Sequence, residues 1–259
     1  MRPTELTSDI AVNLGDPMFR GQYHGKRKHE DDLAAVVQRA HDNGVERMLL
    51  TGTSLEESKL VLDLAKEFDY DRLKFSDKET QLKHLPRLLQ LSKKYNLPMF
   101  LHDRHPEAHA DLVRLLKEAG FDSTWPGGVV HSFTGTVEEM QQLLDMGLYI
   151  GVNGCSLKTE ENLQVVKAIP LDRLMLETDA PWCSITTTHA SHKYVPKTLP
   201  VEKVKPEKFQ EGKGAKGRQE PSDVVVVASV VAGVKGESVE AVAQAAFDNS
   251  MKVFWPDRS

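Results

Sequence analysis

The sequence predicts an α/β protein of successive parallel strands joined by helices, and three observations predict it. Six short apolar runs, at 9–13, 47–52, 99–102, 128–133, 148–153 and 174–178, have the length and composition of buried strands. Most are followed by stretches of helical period, several closed by a glycine just past the helix end, at Gly44, Gly120 and Gly147. Three of the runs end in a polar residue of metal-ligand type: His102, His131 and Asp179. Right-handed crossovers are the strong default for such units, and the C-terminal ends of parallel strands are where chemistry sits.

The chain opens with Asp9-Ile10-Ala11-Val12-Asn13, an apolar core between polar ends, and a loop of turn residues and cations at 15–28. A helix is expected over 29–43, with Leu33, Val36, Val37 and Ala40 on one face. After the second strand, Ser54 caps another helix, with Glu56 and Glu57 in its first turn where the helix dipole favours them, running to about Glu67. A strand is then due and does not come. Asp69-Tyr70-Asp71-Arg72 leads instead into a helix over 77–95, with Leu82, Leu85, Leu88, Leu89 and Leu91 at helical spacing and Pro86 expected to kink it. Regular alternation resumes with helices at 107–119, 136–146 and 160–168. A closed barrel of this type needs eight strands. About six of eight are present, and the junction at 67–71 is where two are missing.

From 183 to 219 the chain is polar, irregular and basic, with Lys193, Lys197, Lys203, Lys205, Lys208, Lys213, Lys216 and Arg218. Such a long excursion is either a solvated loop or a basic lip that contacts phosphates. Two apolar helices, 222–234 and 238–254, complete one domain spanning 1–259. The 259 residues are 40% hydrophobic and 27% charged, which fits a folded protein with a sizeable core. A formal net charge of −5 supplies no global field for nucleic acid, so any polyanion must meet a local patch. Cys155 and Cys183 are the only cysteines, so there is no disulfide framework and a reducing compartment is expected. The N-terminus lacks a secretory pattern and no run approaches membrane-spanning length, which predicts a cytoplasmic or nuclear protein without a membrane partner.

Two imidazoles and a carboxylate suit a divalent ion, and Zn²⁺ and Mn²⁺ accept mixed nitrogen and oxygen ligands. Asp9 could add a bridging carboxylate, and Asn13 only a weak carbonyl ligand. His105 and His109 read as structural or surface histidines, because Pro106 lies between them and no metalloprotease-like Glu flanks them. Arg104 is either a surface cation or a fork for phosphate. The hydroxylated turns Thr51-Gly52-Thr53 and 132–136 could offer backbone N–H groups to an anion. Met140, Leu143, Leu144 and Met146 are expected in the core.

These residues resemble a family. Asp9-Ile10-Ala11-Val12-Asn13-Leu14, Pro98-Met99-Phe100-Leu101-His102-Asp103-Arg104, His131-Ser132-Phe133-Thr134-Gly135, Tyr149-Ile150-Gly151 and Glu177-Thr178-Asp179-Ala180-Pro181 look like the TatD deoxyribonucleases. So do Arg218-Gln219-Glu220-Pro221 and Asn249-Ser250-Met251-Lys252-Val253-Phe254. Asn153-Gly154-Cys155-Ser156-Leu157-Lys158-Thr159 points to the eukaryotic branch. The resemblance implies a TIM-barrel hydrolase that cuts DNA, as an exonuclease, using Mg, Mn or Zn ions. It implies His102, His131 and Asp179 as metal ligands, Asp179 as the residue that positions or deprotonates the attacking water, and Arg104 beside the site. The family carries two ions bridged by a Glu from a Gly-Glu-Cys-Gly-Leu-Asp strand. After Phe68 this chain lacks that segment, so as few as one ion is expected, with activity and stability below those of a complete relative. The competing readings are a remnant that binds metal or nucleic acid without turnover and an amidohydrolase acting on C–N bonds. The latter is disfavoured, because the first strand has no His-x-His pair and no strand ends in an evident carbamylated lysine.

Overall fold

The computed structural model describes residues 6–51 and 78–256. Six parallel strands run through it: β1 (Thr7–Val12), β2 (Val45–Leu50), β3 (Met99–His102), β4 (Gly128–His131), β5 (Tyr149–Val152) and β6 (Leu174–Leu176). Strands β3 to β6 pair in chain order as one sheet, and β1 pairs with β2. A parallel bridge from Val12 to Ala180, just beyond β6, joins the two sheets. The result is an arc in the order β2-β1-β6-β5-β4-β3, and among the described residues it does not close. The six expected strands are present. The expected helix from Ser54 to Glu67 and the break at 67–71 lie outside the described residues.

The helices are α1 (Leu33–Asp42), α2 (Lys78–Tyr95), α3 (Pro106–Glu118), α4 (Val137–Asp145), α5 (Glu160–Ala168), α6 (Val224–Lys235) and α7 (Val239–Phe254). Local chemistry sets their starts. Thr136 and Glu139 form a reciprocal capping box on α4, and Thr159 with Asn162 does the same on α5. Ser238 caps α7 through the Ala241 amide. Each such cap contributes about 1 kcal/mol. Pro86 lies within α2, which continues past it to Tyr95. No helix among the described residues is long and apolar enough to cross a membrane.

Strand alternation sorts the core. Met99, Leu101, Val130, Ile150, Val152, Leu174 and Leu176 join the large cluster that meets the helices, including the valine-rich α6. The intervening residues face the other way, where Ile10, Val129, Tyr149, Met175 and Val253 form a smaller inner cluster with Leu49, Phe100 and Phe254 against it. Continuing the same parity along each strand places His102, His131, Gly151 and Glu177 on that inner face.

Two expectations are corrected here. Residues 29–32 are not helical. His29 stacks on Phe209 at 4.2 Å between ring centroids and sits 3.2 Å from the Tyr23 hydroxyl, while Asp32 is held by two arginines. Those partners, remote in sequence, outcompete the helical turn. The 183–219 excursion is not a uniform basic lip either. It contains short 3₁₀ turns at Ala190–Tyr194 and Pro206–Lys208 and a parallel ladder of Lys203–Val204 with Gly214–Ala215. Arg218 is fully buried, with both terminal nitrogens 2.7 Å from Asp32 and one 2.8 Å from Glu220. Arg39 reaches the same Glu220 at 2.8 Å. Lys203 pairs with Asp223, and Lys213 with Glu202 at 2.7 Å. Carboxylates balance Arg218 and Lys203 as the loop folds down, which removes those two from an exposed lip, while Lys193, Lys197, Lys205, Lys208 and Lys216 stay exposed.

Candidate metal-binding site

Parallel pairing puts His102 and His131 opposite one another on β3 and β4. Their rings lie 4.9 Å apart, and Phe100 stacks on His131 at 4.8 Å. His131 is buried, with its Nδ1 2.7 Å from Glu177 Oε2. Glu177 is also buried and accepts the Ser132 amide at 2.8 Å and the Asn153 side-chain amide at 3.0 Å. A carboxylate at Nδ1 requires the proton there, which leaves Nε2 with its lone pair. That Nε2 faces Arg104, whose guanidinium lies 3.1 Å away. Gly151 makes room for this arrangement: a Cβ there would stand 2.9 Å from Glu177 Oε2 and 3.3 Å from the His131 Cα.

Asp179 follows β6 in the left-handed backbone region, at φ +55°, which Asp adopts more readily than most residues. Its amide donates to Ala11 O at 2.9 Å, next to the bridge that joins β1 to β6. One carboxylate oxygen accepts Asn13 Nδ2 at 3.1 Å, and the other accepts the Cys183 thiol at 3.3 Å. Asp179 is close enough for its charge to act on both His131 and Glu177. Asp9 plays no part as a ligand. It is fully buried and accepts from the Thr178 amide at 2.9 Å, the Thr178 hydroxyl and the Ala11 amide at 3.2 Å. It latches the first strand to the last, and the idea of a bridging Asp9 fails because the carboxylate is fully buried and three hydrogen bonds turn it to that latch.

Electrostatics prepare the imidazoles. Burial above all, helped by the Arg104 charge and opposed by Asp179, lowers His131 to about 4. His102, partly open to solvent but crowded on one side, is lowered to about 3 by burial, then by His131 and Arg104. Both rings are therefore neutral at pH 7 and able to donate a lone pair. Burial, reinforced by the Asp179 charge, pushes the Glu177 carboxyl well up, against the N–H groups that hold it.

The other expected candidates find structural roles. His105 caps α3, its Nδ1 accepting the Glu107 amide. His109 is buried, 2.6 Å from Asp103 and 3.4 Å from Gln142. In the 132–136 turn three of the five amides are already taken: Glu177 takes that of Ser132, Gly151 O that of Phe133 and Glu139 that of Thr136. Gly52 and Thr53 of the other turn lie outside the described residues. The structure thus brings His102 and His131 together, with Arg104 against them and Asp179 at the neighbouring strand end. Among the described residues, no three His, Cys, Asp or Glu side chains converge closely enough to hold an ion by themselves. The donor chemistry nevertheless fits a divalent ion, through neutral imidazoles, an oriented Nε2 and a nearby carboxylate. Glu177 is the residue that sequence reasoning missed. Its signal was available, since it stands two positions after Met175 and so continues the inner face of β6.

Parallel strands joined by helices, with histidines and a carboxylate gathered at one set of strand ends, define the TIM-barrel-like class of α/β hydrolases. Within that class the chain belongs to the TatD related DNase family, which matches residues 68–255. It is 36% identical to deoxyribonuclease Tat-D of Schizosaccharomyces pombe, across 95% of this chain and 94% of that protein. That alignment runs over 297 positions, more than the 259 residues here, so it places gaps in this chain. The chain is 31% identical to the 3'-5' ssDNA/RNA exonuclease TatD of Shigella flexneri over 74% of its length, covering 86% of that protein. The crystal structure of a TatD family hydrolase from Entamoeba histolytica superposes with a TM-score of 0.88 at 33% identity, covering 97% of this chain and 99% of that one.

Proposed function

We propose that this chain is a metal-dependent nuclease that hydrolyses DNA phosphodiester bonds from an end of the strand. The observation that carries the proposal is the Glu177–His131 pair, which fixes a neutral imidazole with Nε2 presented beside His102. In this reading His102, His131 and Asp179 hold the ion. Kinship with proteins named as deoxyribonuclease and as ssDNA/RNA exonuclease supports the substrate and the mode of attack. The bound ion, Mg²⁺, Mn²⁺ or Zn²⁺, supplies charge neutralisation and an acidified water.

The chain's own residues do the rest. Glu177 keeps the proton on His131 Nδ1 and so orients the ring. Asn13 holds Asp179 by Oδ1, and the left-handed turn points this carboxylate away from the strand. Asp179 orients the attacking water and takes its proton. Arg104, already against His131 Nε2, is placed to fork a phosphate oxygen.

The test is release of nucleotides from end-labelled single-stranded DNA with Mn²⁺ or Mg²⁺, by the purified chain and by Asp179→Asn. A positioned group that takes the water's proton is worth about 10²- to 10⁴-fold, so Asp179→Asn is expected to reduce release by about 100-fold or more. Equal rates in both proteins would reject the assignment. A second reading, binding without turnover, draws on the lack of a ready three-ligand cluster among the described residues. It predicts Mn²⁺ binding by calorimetry together with no nucleotide release from either protein.

A further inference from the structure

The two cysteines, 28 positions apart, lie together: Cys155 Sγ and Cys183 Sγ are 2.9 Å apart, both half-buried and both free thiols. Cys155 belongs to the 3₁₀ turn Gly154–Leu157 after β5, and Cys183 follows the Asp179 turn after β6. The two backbones touch as well. A Cβ on Gly154 would come within 1.9 Å of the Cys183 carbonyl oxygen, so only glycine admits this approach. Cys183 takes the left-handed conformation, φ +55°, that turns its side chain back toward the site. Its thiol is also within hydrogen-bonding reach of Asp179 Oδ2 at 3.3 Å.

We infer that Cys155 and Cys183 are an oxidisable dithiol, a modification site at the rim of the strand-end cluster that a peroxide converts to an intramolecular disulfide. The sulfurs need to close by only about 0.9 Å to reach bonding distance, from a position the backbone already holds. The one Cys183 proton reaches either Asp179 Oδ2 or Cys155, and when it turns to Cys155 it draws that thiol down to about 7, which favours Cys155 as the attacking thiolate. The thiolate attacks the O–O bond of the peroxide and becomes a sulfenic acid, releasing one water once protonated. The Cys183 thiol then displaces the sulfenic hydroxyl, its proton leaving with that oxygen as a second water. Two thiols and one hydrogen peroxide thus give one disulfide and two waters. Oxidation removes the S–H group beside Asp179 Oδ2. The inference stands apart from the nuclease reading, since its evidence is thiol chemistry alone.

The experiment uses the whole chain, reduced, desalted and exposed to hydrogen peroxide, with thiols then counted under denaturing conditions. The chain has only two cysteines, so the count should fall from two to zero and return to two after dithiothreitol. Peptide mass spectrometry should show the 155 and 183 peptides linked within a monomer, lighter by two hydrogens. Cys183→Ser should leave a lone sulfenic acid on Cys155 that dimedone captures, whereas Cys155→Ser, without the attacking thiol, and the parent protein capture little. Persistence of both thiols after peroxide would overturn the inference. So would dimedone adducts or links between chains, in place of the internal disulfide, in the parent protein.

Discussion

Two clusters of buried polar groups in this molecule are built on opposite plans. Around Arg218 and Arg39, each guanidinium meets Asp32 and Glu220, and each of those carboxylates meets both arginines. Opposite charges consume one another there. At the strand ends, Glu177 is satisfied by three N–H groups, and the chain of bonds runs on through His131, whose Nε2 accepts from the exposed Arg104 at 3.1 Å. The comparison teaches that burial and charge do not by themselves mark a site. The arginine cluster is more buried and more charged, yet its charges answer one another inside the protein. The histidine cluster ends on a single hydrogen bond from an exposed arginine, which an incoming ion could displace.

That contrast can be broken in order of expected effect. Asp32→Ala leaves Arg218 buried and short of a partner, a change that costs about 3–5 kcal/mol. For a chain of this size the melting temperature should fall by roughly 10 °C, read by calorimetry, while Mn²⁺ affinity of the folded fraction stays put. A loss of metal affinity without loss of stability would show the two clusters to be one. Glu177→Gln tests the other side. It should weaken Mn²⁺ binding by about 10- to 100-fold in titration calorimetry, because a charged group that only accepts is replaced by a neutral amide that fixes the ring proton less firmly. An unchanged affinity would detach Glu177 from the site.

The smallest effect is one of pH, in protein treated with chelator. Burial lowers His131 to about 4 in the fold, from the 6.5 ordinary for the unfolded chain. Between those values the unfolded chain binds a proton that the fold refuses, so stability falls as pH falls. Relative to His131→Gln, the parent should lose about 1.4 kcal/mol per pH unit below 6.5, with no further loss below about 4 and no difference in slope above 6.5. Urea unfolding at pH 7 and pH 5 measures it. A flat difference would mean that the ring already carries a second proton, paired to the Glu177 carboxylate.

Much of this was legible in the chain. Phe100 and His102, like Val129 and His131, alternate with residues that meet the helices, and period-two alternation is a local signal. The glycines after α1, α3 and α4 and the Thr136 cap are local signals too. What escaped depends on partners far away in sequence. Arg218 reads as one more loop cation until Asp32, 186 positions earlier, is placed beside it. Residues 29–32 read as a helix start until Phe209 stacks on His29. The Ser132 amide looks available to an anion until Glu177, 45 positions later, takes it. Asp9 looks like a ligand until Thr178, 169 positions on, fills its oxygens. Spacing along the chain carries no information about such closures.

The latch between Asp9 and Thr178 also sets a timescale. Four successive amides carry the Asp179 turn, and each is donated inside the protein: Glu177 to Val152 O, Thr178 to Asp9, Asp179 to Ala11 O and Ala180 to the Thr178 hydroxyl. Two of them, Thr178 and Asp179, cannot meet solvent deuterium without parting the first strand from the last. Their exchange is therefore tied to the rarest, most global openings of the molecule rather than to local breathing. A carboxylate mounted on such a platform waits in place, and whatever it binds need not wait for the backbone to arrive.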